Sequence, residues 1–325
     1  MLRAAPMPET GSSASASRVP SGALVYTLMA VVALIWGSTW LVIKRGLETM
    51  PPLLGAGLRF AVAGALMACL APWLARREGG GRPPFSAIAA HSLCQFVLNF
   101  ALVYVSETVI PSGLVSVLWS VFPLFVALTG HFLTKTERLT GRQWVGVLVA
   151  LAGIGALFAT DIASISPRAV TMGLLLLLGP LSVTFSTALV KLRASHSSSA
   201  ILNRDAMALG GVLLLALSFV FERDQPVRFT PVAIASVLYL AVAGTVITFG
   251  IYIWLLRTVP AYRLSLVSYV IPAISIWLGA SFGDEPVRAT TLAGTALVIF
   301  GVALTLRPAK RIPFVKASTV GSDSR

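Results

Sequence analysis

Ten stretches of about twenty apolar residues, separated by short charged or turn-rich connections, leave this chain almost no choice of architecture. They run over roughly 22–43, 53–75, 86–106, 111–133, 141–160, 169–190, 200–221, 231–255, 261–282 and 289–307. A helix needs about 20 apolar residues to cross a hydrocarbon core of roughly 30 Å, so each stretch is long enough to span. A closed barrel would need strands of about ten residues with alternating polarity. Runs such as GLLLLLGPL and VLVALAGIGALF do not alternate. Charge content agrees: 11% of residues are Asp, Glu, Lys or Arg, against about a quarter in a soluble domain. The expected fold is an all-α integral membrane protein with ten transmembrane helices.

Lys and Arg are retained on the cytoplasmic side of a membrane, and their distribution predicts the orientation. With ten spans both termini share one side, and that side collects 18 of the 25 basic residues. Six lie on the other side (Lys44, Arg45, Arg168, Arg223, Arg228 and Arg288), and Arg59 lies inside a span. Both termini are therefore expected in the cytoplasm. The net charge of +13 is mainly this topology signal, and no aromatic-interleaved basic groove points to nucleic acid. Residues 1–21 read as a disordered cytoplasmic tail rather than a cleaved signal peptide, because the first apolar run is a full span. A basic tail follows at 308–325. Cys69 and Cys94 fall within spans, where a small apolar thiol packs.

The spans repeat. TVIPSGLVSVLWSVFP, ending at Pro123, matches TVPAYRLSLVSYVIP, ending at Pro272, after a one-residue gap. Pro111 pairs with Pro260 and Ser116 with Ser265; Glu137, Gly146 and Gly153 recur as Glu285, Gly294 and Gly301, and Lys44 recurs as Lys191. The offsets are 147 to 149 residues, which divides the chain into five-helix repeats at 22–160 and 161–307. Five is odd, so the halves enter the membrane in opposite directions. Inverted repeats of this kind are typical of secondary transporters, with the substrate site near the midplane between halves.

The WGSTW…K opening (Trp36–Lys44), Arg59-Phe60 and the paired P-x11-P spans resemble the EamA family of the drug/metabolite transporter superfamily. So do the acidic residue and G-x6-G that end each half. The resemblance covers roughly residues 25–307. It implies ten helices, cytoplasmic termini, a role for Arg59, and export or exchange of small metabolites such as amino acids across a bacterial inner membrane.

Several residues are candidates for the work. Pro123 and Pro272 each deprive a carbonyl four residues back of its donor and sit at matched depth, either as paired hinges lining a cavity or as kinks that only shape helix packing. His91, Gln95 and Asn99 are four apart and share a helical face, which Ser106 and Glu107 extend outward. That stripe could meet a polar substrate or serve as interhelical glue worth about 0.6 kcal/mol per contact. Arg59 lies about 9 Å below the outer boundary at a 1.5 Å rise. A charge at that depth needs a partner or a cavity; Glu107 is the available acid, and the pair could be a structural clamp or a gate, with Arg59 a carboxylate-binding cation for substrate and Glu107 a proton site. Trp36, Thr39, Trp40, Trp119, Ser268 and Tyr269 could wall a cavity, with Ser182 and Ser186 supplying hydroxyls from the second half. Trp73, Trp144 and Trp254 read as an interfacial belt.

No phosphate-cradling GxxxxGK[ST] appears, and the three histidines lack HExxH or CxxC company. No cofactor or metal is expected, and no convergent catalytic set suggests an intramembrane enzyme. The expected partners are a small-molecule substrate and the lipid bilayer. The favoured reading is an exporter of a small polar or amphipathic metabolite, an amino acid above all. An uptake carrier of the same architecture for a sugar or nucleoside is the alternative.

Overall fold

In lipid every backbone N–H and C=O must be satisfied internally, so long apolar runs have no alternative to helix. The computed structural model describes residues 22–132, 139–258 and 261–306, and each expected span is helical there. The helices are α1 Gly22–Leu47, α2 Pro52–Glu78, α3 Phe85–Glu107, α4 Ser112–Phe132, α5 Gly141–Ile162, α6 Pro167–Arg193 and α7 Ser199–Phe221. Then come α8, which covers Pro231–Tyr252 and runs on to Thr258, α9 Ala261–Phe282 and α10 Ala289–Leu306. Among the described residues nine helices are long and apolar enough to cross a membrane, and α9 contributes a shorter apolar stretch, Val267–Phe282. Both tails, Glu137 and Pro260 lie outside the described residues. The starts are written locally: Pro52, Pro167 and Pro231 sit where a helix has no use for an N–H. Ser166, Ser198 and Thr230 accept from the N–H groups of Ala169, Ile201 and Ala233, satisfying otherwise orphaned donors.

The halves interlock through equivalent helices. α2 packs along α7, and α5 along α10. A Cβ on Gly64 would lie 3.0 Å from the backbone of Ala208, and one on Gly211 would lie 2.6 Å from that of Ala61. Both pairs are related by the same 147-residue offset. In α5 and α10, Gly146 abuts Gly301 and Gly153 abuts Gly294 in the same reciprocal way. Small residues let backbones approach where no hydrophobic effect drives helices together.

The third helix of each half crosses to the other: α3 packs on α6 and α7, and α8 on α1 and α2. Each crossing is pinned by a repeat-related hydrogen bond. His91 Nδ1 pairs with Ser186 Oγ at 2.7 Å, and Tyr239 Oη with Ser38 Oγ at 2.7 Å. His91 and Tyr239 are 148 residues apart, as are Ser38 and Ser186. Both crossing helices also contain a wide π-type segment, Ser92–Leu98 in α3 and Val242–Ile247 in α8.

Four carboxylates staple helix ends. Glu222 accepts from Leu53 N and Leu54 N at 2.8 and 3.0 Å, opening α2. Its counterpart at the opposite end, Glu78, accepts from Ser198 Oγ, Ser199 Oγ and Ala200 N, opening α7. Glu285 accepts from Ser112 N and Gly113 N at 2.6 and 3.1 Å, opening α4. Asp161 accepts from Thr290 and Thr291 at the start of α10. Helix N-termini favour negative charge, so each acid is placed where the backbone wants it.

The two central prolines, expected to act as a matched pair, have unequal effects. α4 is interrupted at Ser120 and Val121, just before Pro123, whereas α9 runs through Pro272 unbroken. Within that interruption the Ser120 hydroxyl donates to Val117 O at 2.6 Å; the corresponding residue of α9 is Tyr269.

Candidate substrate site

On α3, Phe100, Tyr104 and Glu107 stand at i, i+4 and i+7 and so share a face. Arg59, on α2, is 4% exposed, and its guanidinium lies over the Phe100 ring at 4.6 Å and the Phe60 ring at 5.3 Å. Its Nε donates to Thr245 Oγ1 at 3.2 Å, while Nη1 is buried with no partner. Thr245 sits in the π segment of α8, where its own hydroxyl donates to Leu240 O at 2.8 Å. The neighbouring Gly244 leaves room for Thr39 and for Nη2 of Arg59.

Above the guanidinium, the Tyr104 hydroxyl is buried without a hydrogen bond, and so are both carboxyl oxygens of Glu107, which has no exposed surface. Lys44 closes the corner between α3 and α4 by donating to the carbonyls of Glu107 and Ile110 at 2.5 and 3.4 Å. To the side, Trp40 and Trp119 stand 6.3 Å apart, and Trp119 stacks on Phe122 at 5.4 Å. Trp119 Nε1 donates to Asn99 Oδ1 at 2.9 Å, whereas Trp40 Nε1 is buried and unpartnered. An unpaired buried polar group costs about 1–3 kcal/mol. Arg59, Tyr104, Glu107 and Trp40 each carry such a cost, as do Ser92, Ser112, Asn203, Asp205 and Thr295 among the described residues.

The Arg59–Glu107 ion pair expected from the sequence is not formed; among the described residues no salt bridge joins them. The guanidinium is held down by the Phe100 face and Thr245, and Tyr104 stands a turn below the acid. The polar stripe of α3 also faces elsewhere. His91 bonds Ser186, Asn99 bonds Trp119 and packs on Gly179, and Ser106 donates to Met172 O at 3.2 Å. These groups tie α3 to α6 and α4. Ser182 does likewise, donating to Cys94 O at 2.8 Å. Gln95 is half-buried, and its carbonyl accepts from Asn99 Nδ2 at 3.4 Å.

Of the residues singled out in the sequence, Thr39, Trp40, Arg59, Asn99, Glu107 and Trp119 fall in this region. Trp36 belongs to a separate apolar cluster and packs its ring on Tyr252 at 5.2 Å. Ser186 lies with His91 at the far half of α3, and Ser268 and Tyr269 are half-buried on α9. Phe100, Tyr104 and Thr245 escaped the sequence reading. The first two carried a signal, an aromatic pair at helical spacing below Glu107; Thr245 carried none.

The family model described as "EamA-like transporter family" matches residues 23–159 and again 171–307. The uncharacterized inner membrane transporter YedA of Escherichia coli (strain K12) is 29% identical over 288 residues, 86% of this chain and 91% of its own. The uncharacterized transporter YoaV of Bacillus subtilis (strain 168) is 26% identical over 83% of this chain and 92% of its own length. An Escherichia coli (strain K12) protein named "Probable amino-acid metabolite efflux pump" is 26% identical over 86% of this chain and 93% of its own. One crystal structure has the same fold, with a TM-score of 0.62 at 20% identity, covering 88% of this chain and 98% of that one. Its membrane spans, its two repeated halves and this match to both of them agree: the chain belongs to the EamA-like transporter family.

Proposed function

We propose that this transporter is a secondary exporter of a small polar or amphipathic metabolite, with an amino acid as its substrate class. Its halves rock about the α2–α7 and α5–α10 contacts, and both termini face the cytoplasm of a bacterial cell. The observation that carries the reading is Arg59: a buried guanidinium with an unused donor, resting on aromatic rings beside helices of both halves. An unpaired cation at membrane depth marks a substrate pathway by default. Bidentate recognition of carboxylate suits guanidinium better than any other side chain. Trp40 and Trp119 would flank the substrate side chain, with Thr39 and Asn99 nearby. Pro123 and Pro272 would let α4 and α9 bend as access alternates. The similarity to a protein named for amino-acid metabolite efflux supports the same class.

The test is exchange in liposomes reconstituted with the full chain, preloaded with labelled amino acids, sugars or nucleosides. Amino-acid efflux that is lost in Arg59→Gln supports the reading. Exchange of sugars or nucleosides alone, or amino-acid exchange indifferent to Arg59, overturns it.

A further inference from the structure

We infer that Arg59 and Glu107 are the two poles of one site, built for a solute that carries both a carboxylate and an ammonium group. The carboxylate would sit on Nη1 of Arg59 and the ammonium on the carboxyl group of Glu107. This rests on the amino-acid reading above and adds the acid, to which that reading gives no role.

Glu107 is unlike every other buried or half-buried acid among the described residues. Glu78, Glu222, Glu285 and Asp161 each have N–H or O–H donors on the carboxylate. Asp205 has one oxygen on Arg204 at 2.7 Å. Glu107 has none on either oxygen, although it is completely buried. Lys44 and Arg59 both lie within electrostatic range of it, as does Glu285. Lys44 donates to two backbone carbonyls, and Glu285, within electrostatic range, is engaged by the start of α4. Arg59 retains a free donor.

Arg59 and Glu107 thus each keep hydrogen-bonding capacity unused in the same region without pairing. Burying opposite charges apart is costlier than burying them together, so a site shaped for stability alone would close the gap. Here the guanidinium is drawn instead to the Phe100 face and to Thr245. Tyr104 lies three residues from Glu107, about 4.5 Å along the helix axis. Its hydroxyl is buried close to the Arg59 guanidinium. The balance also selects. A zwitterion supplies one charge of each sign and satisfies both poles, whereas a simple acid or amine leaves one buried pole unmet.

The test uses the full chain in liposomes and phenylalanine, leucine and alanine as exchanged probes. Each is challenged with its own deamino acid and its own decarboxylated amine. Wild type should prefer each amino acid over both truncated analogues by at least about tenfold, the value of one charge-assisted hydrogen bond. Glu107→Gln, nearly isosteric, should lose about tenfold for the amino acid and nothing for the deamino acid. The wild-type comparison does not depend on any variant folding. Equal competition by the deamino acid in wild type, or a Glu107→Gln effect shared by both ligands, overturns the bipolar site while leaving amino-acid export standing. No exchange of any amino acid by wild type overturns both.

Discussion

The two halves share a scaffold and differ in chemistry. Carrying the 147-residue offset of α2 and α7 from Gly64–Gly211 to Arg59 leads to Ala206, which is fully buried. The 148-residue offset that relates His91 to Tyr239 leads from Glu107 to Leu255, also fully buried. Tyr104 meets Tyr252. Thus, among the described residues, the reciprocal glycines, the crossing hydrogen bonds and the Glu78 and Glu222 caps occur in both halves, while Arg59 and Glu107 have no charged equivalent. What is duplicated builds the bundle; what is single is where the proposed solute site lies.

The largest effect should come from breaking the single element. Arg59→Ala should reduce exchange about 100-fold, from an ionic hydrogen bond worth about 1.5–3 kcal/mol, with little loss of folded protein. The mirrored change, Ala206→Arg, places a charge at the corresponding position, where no equivalent aromatic cradle has been built. It should cost roughly 2.5–3.5 kcal/mol of insertion energy and lower the yield of folded protein. Exchange assays and detergent size-exclusion profiles on the pair would separate the two. Equal consequences would dissolve the contrast between the halves.

The duplicated scaffold should instead respond symmetrically and in stability. Gly211→Ala and Gly64→Ala each press a methyl into the partner backbone, at 2.6 and 3.0 Å, and overpacking costs about 1–3 kcal/mol. Thermal unfolding in detergent should show both destabilised, Gly211→Ala at least as much. A neutral result at either position would mean that α2 and α7 part more easily than their contact suggests.

The capping acids come next. Glu222→Gln and Glu78→Gln each remove a charge from a helix N-terminus while leaving an acceptor, so each should cost about 0.3–1 kcal/mol, rising to about 2 for a buried cap. Glu222 is 6% exposed and should show the larger loss of the two in the same unfolding assay. A larger effect at Glu78 would mean that its two serine hydroxyl contacts outweigh burial.

Much of this was readable beforehand because it rests on length and period. A span needs some twenty apolar residues whatever it packs against, and an offset of 147 to 149 residues survives in Gly, Pro and Lys. Arg59 announces itself because a charge in an apolar run has few explanations. What could not be read depends on rotation about a helix axis. The π segment Ser92–Leu98 widens the helix within α3, so counting by fours from His91 does not tell where Asn99 or Glu107 will point. The choice of Thr245 as the partner of Arg59 depends on a second such segment in α8. Nor does sequence tell that Glu285 reaches the start of α4, because that contact joins opposite halves 172 and 173 residues apart.

The smallest effect tests the crossings themselves. Ser186→Ala removes the hydroxyl that His91 meets, and Ser38→Ala the one that Tyr239 meets. Interhelical hydrogen bonds in membranes average only about 0.6 kcal/mol, because the separated helices find other partners. Each change alone should therefore shift unfolding slightly and by a similar amount. The two bonds pin different crossings, so their costs should add in the double variant, as distant sites do within about 0.3–0.5 kcal/mol. Additive losses with unchanged exchange would place both bonds in the duplicated scaffold. A loss of exchange confined to Ser186→Ala would move His91 and Ser186 out of the scaffold and into the solute pathway, and the functional asymmetry of the halves would then extend to a second level of the bundle.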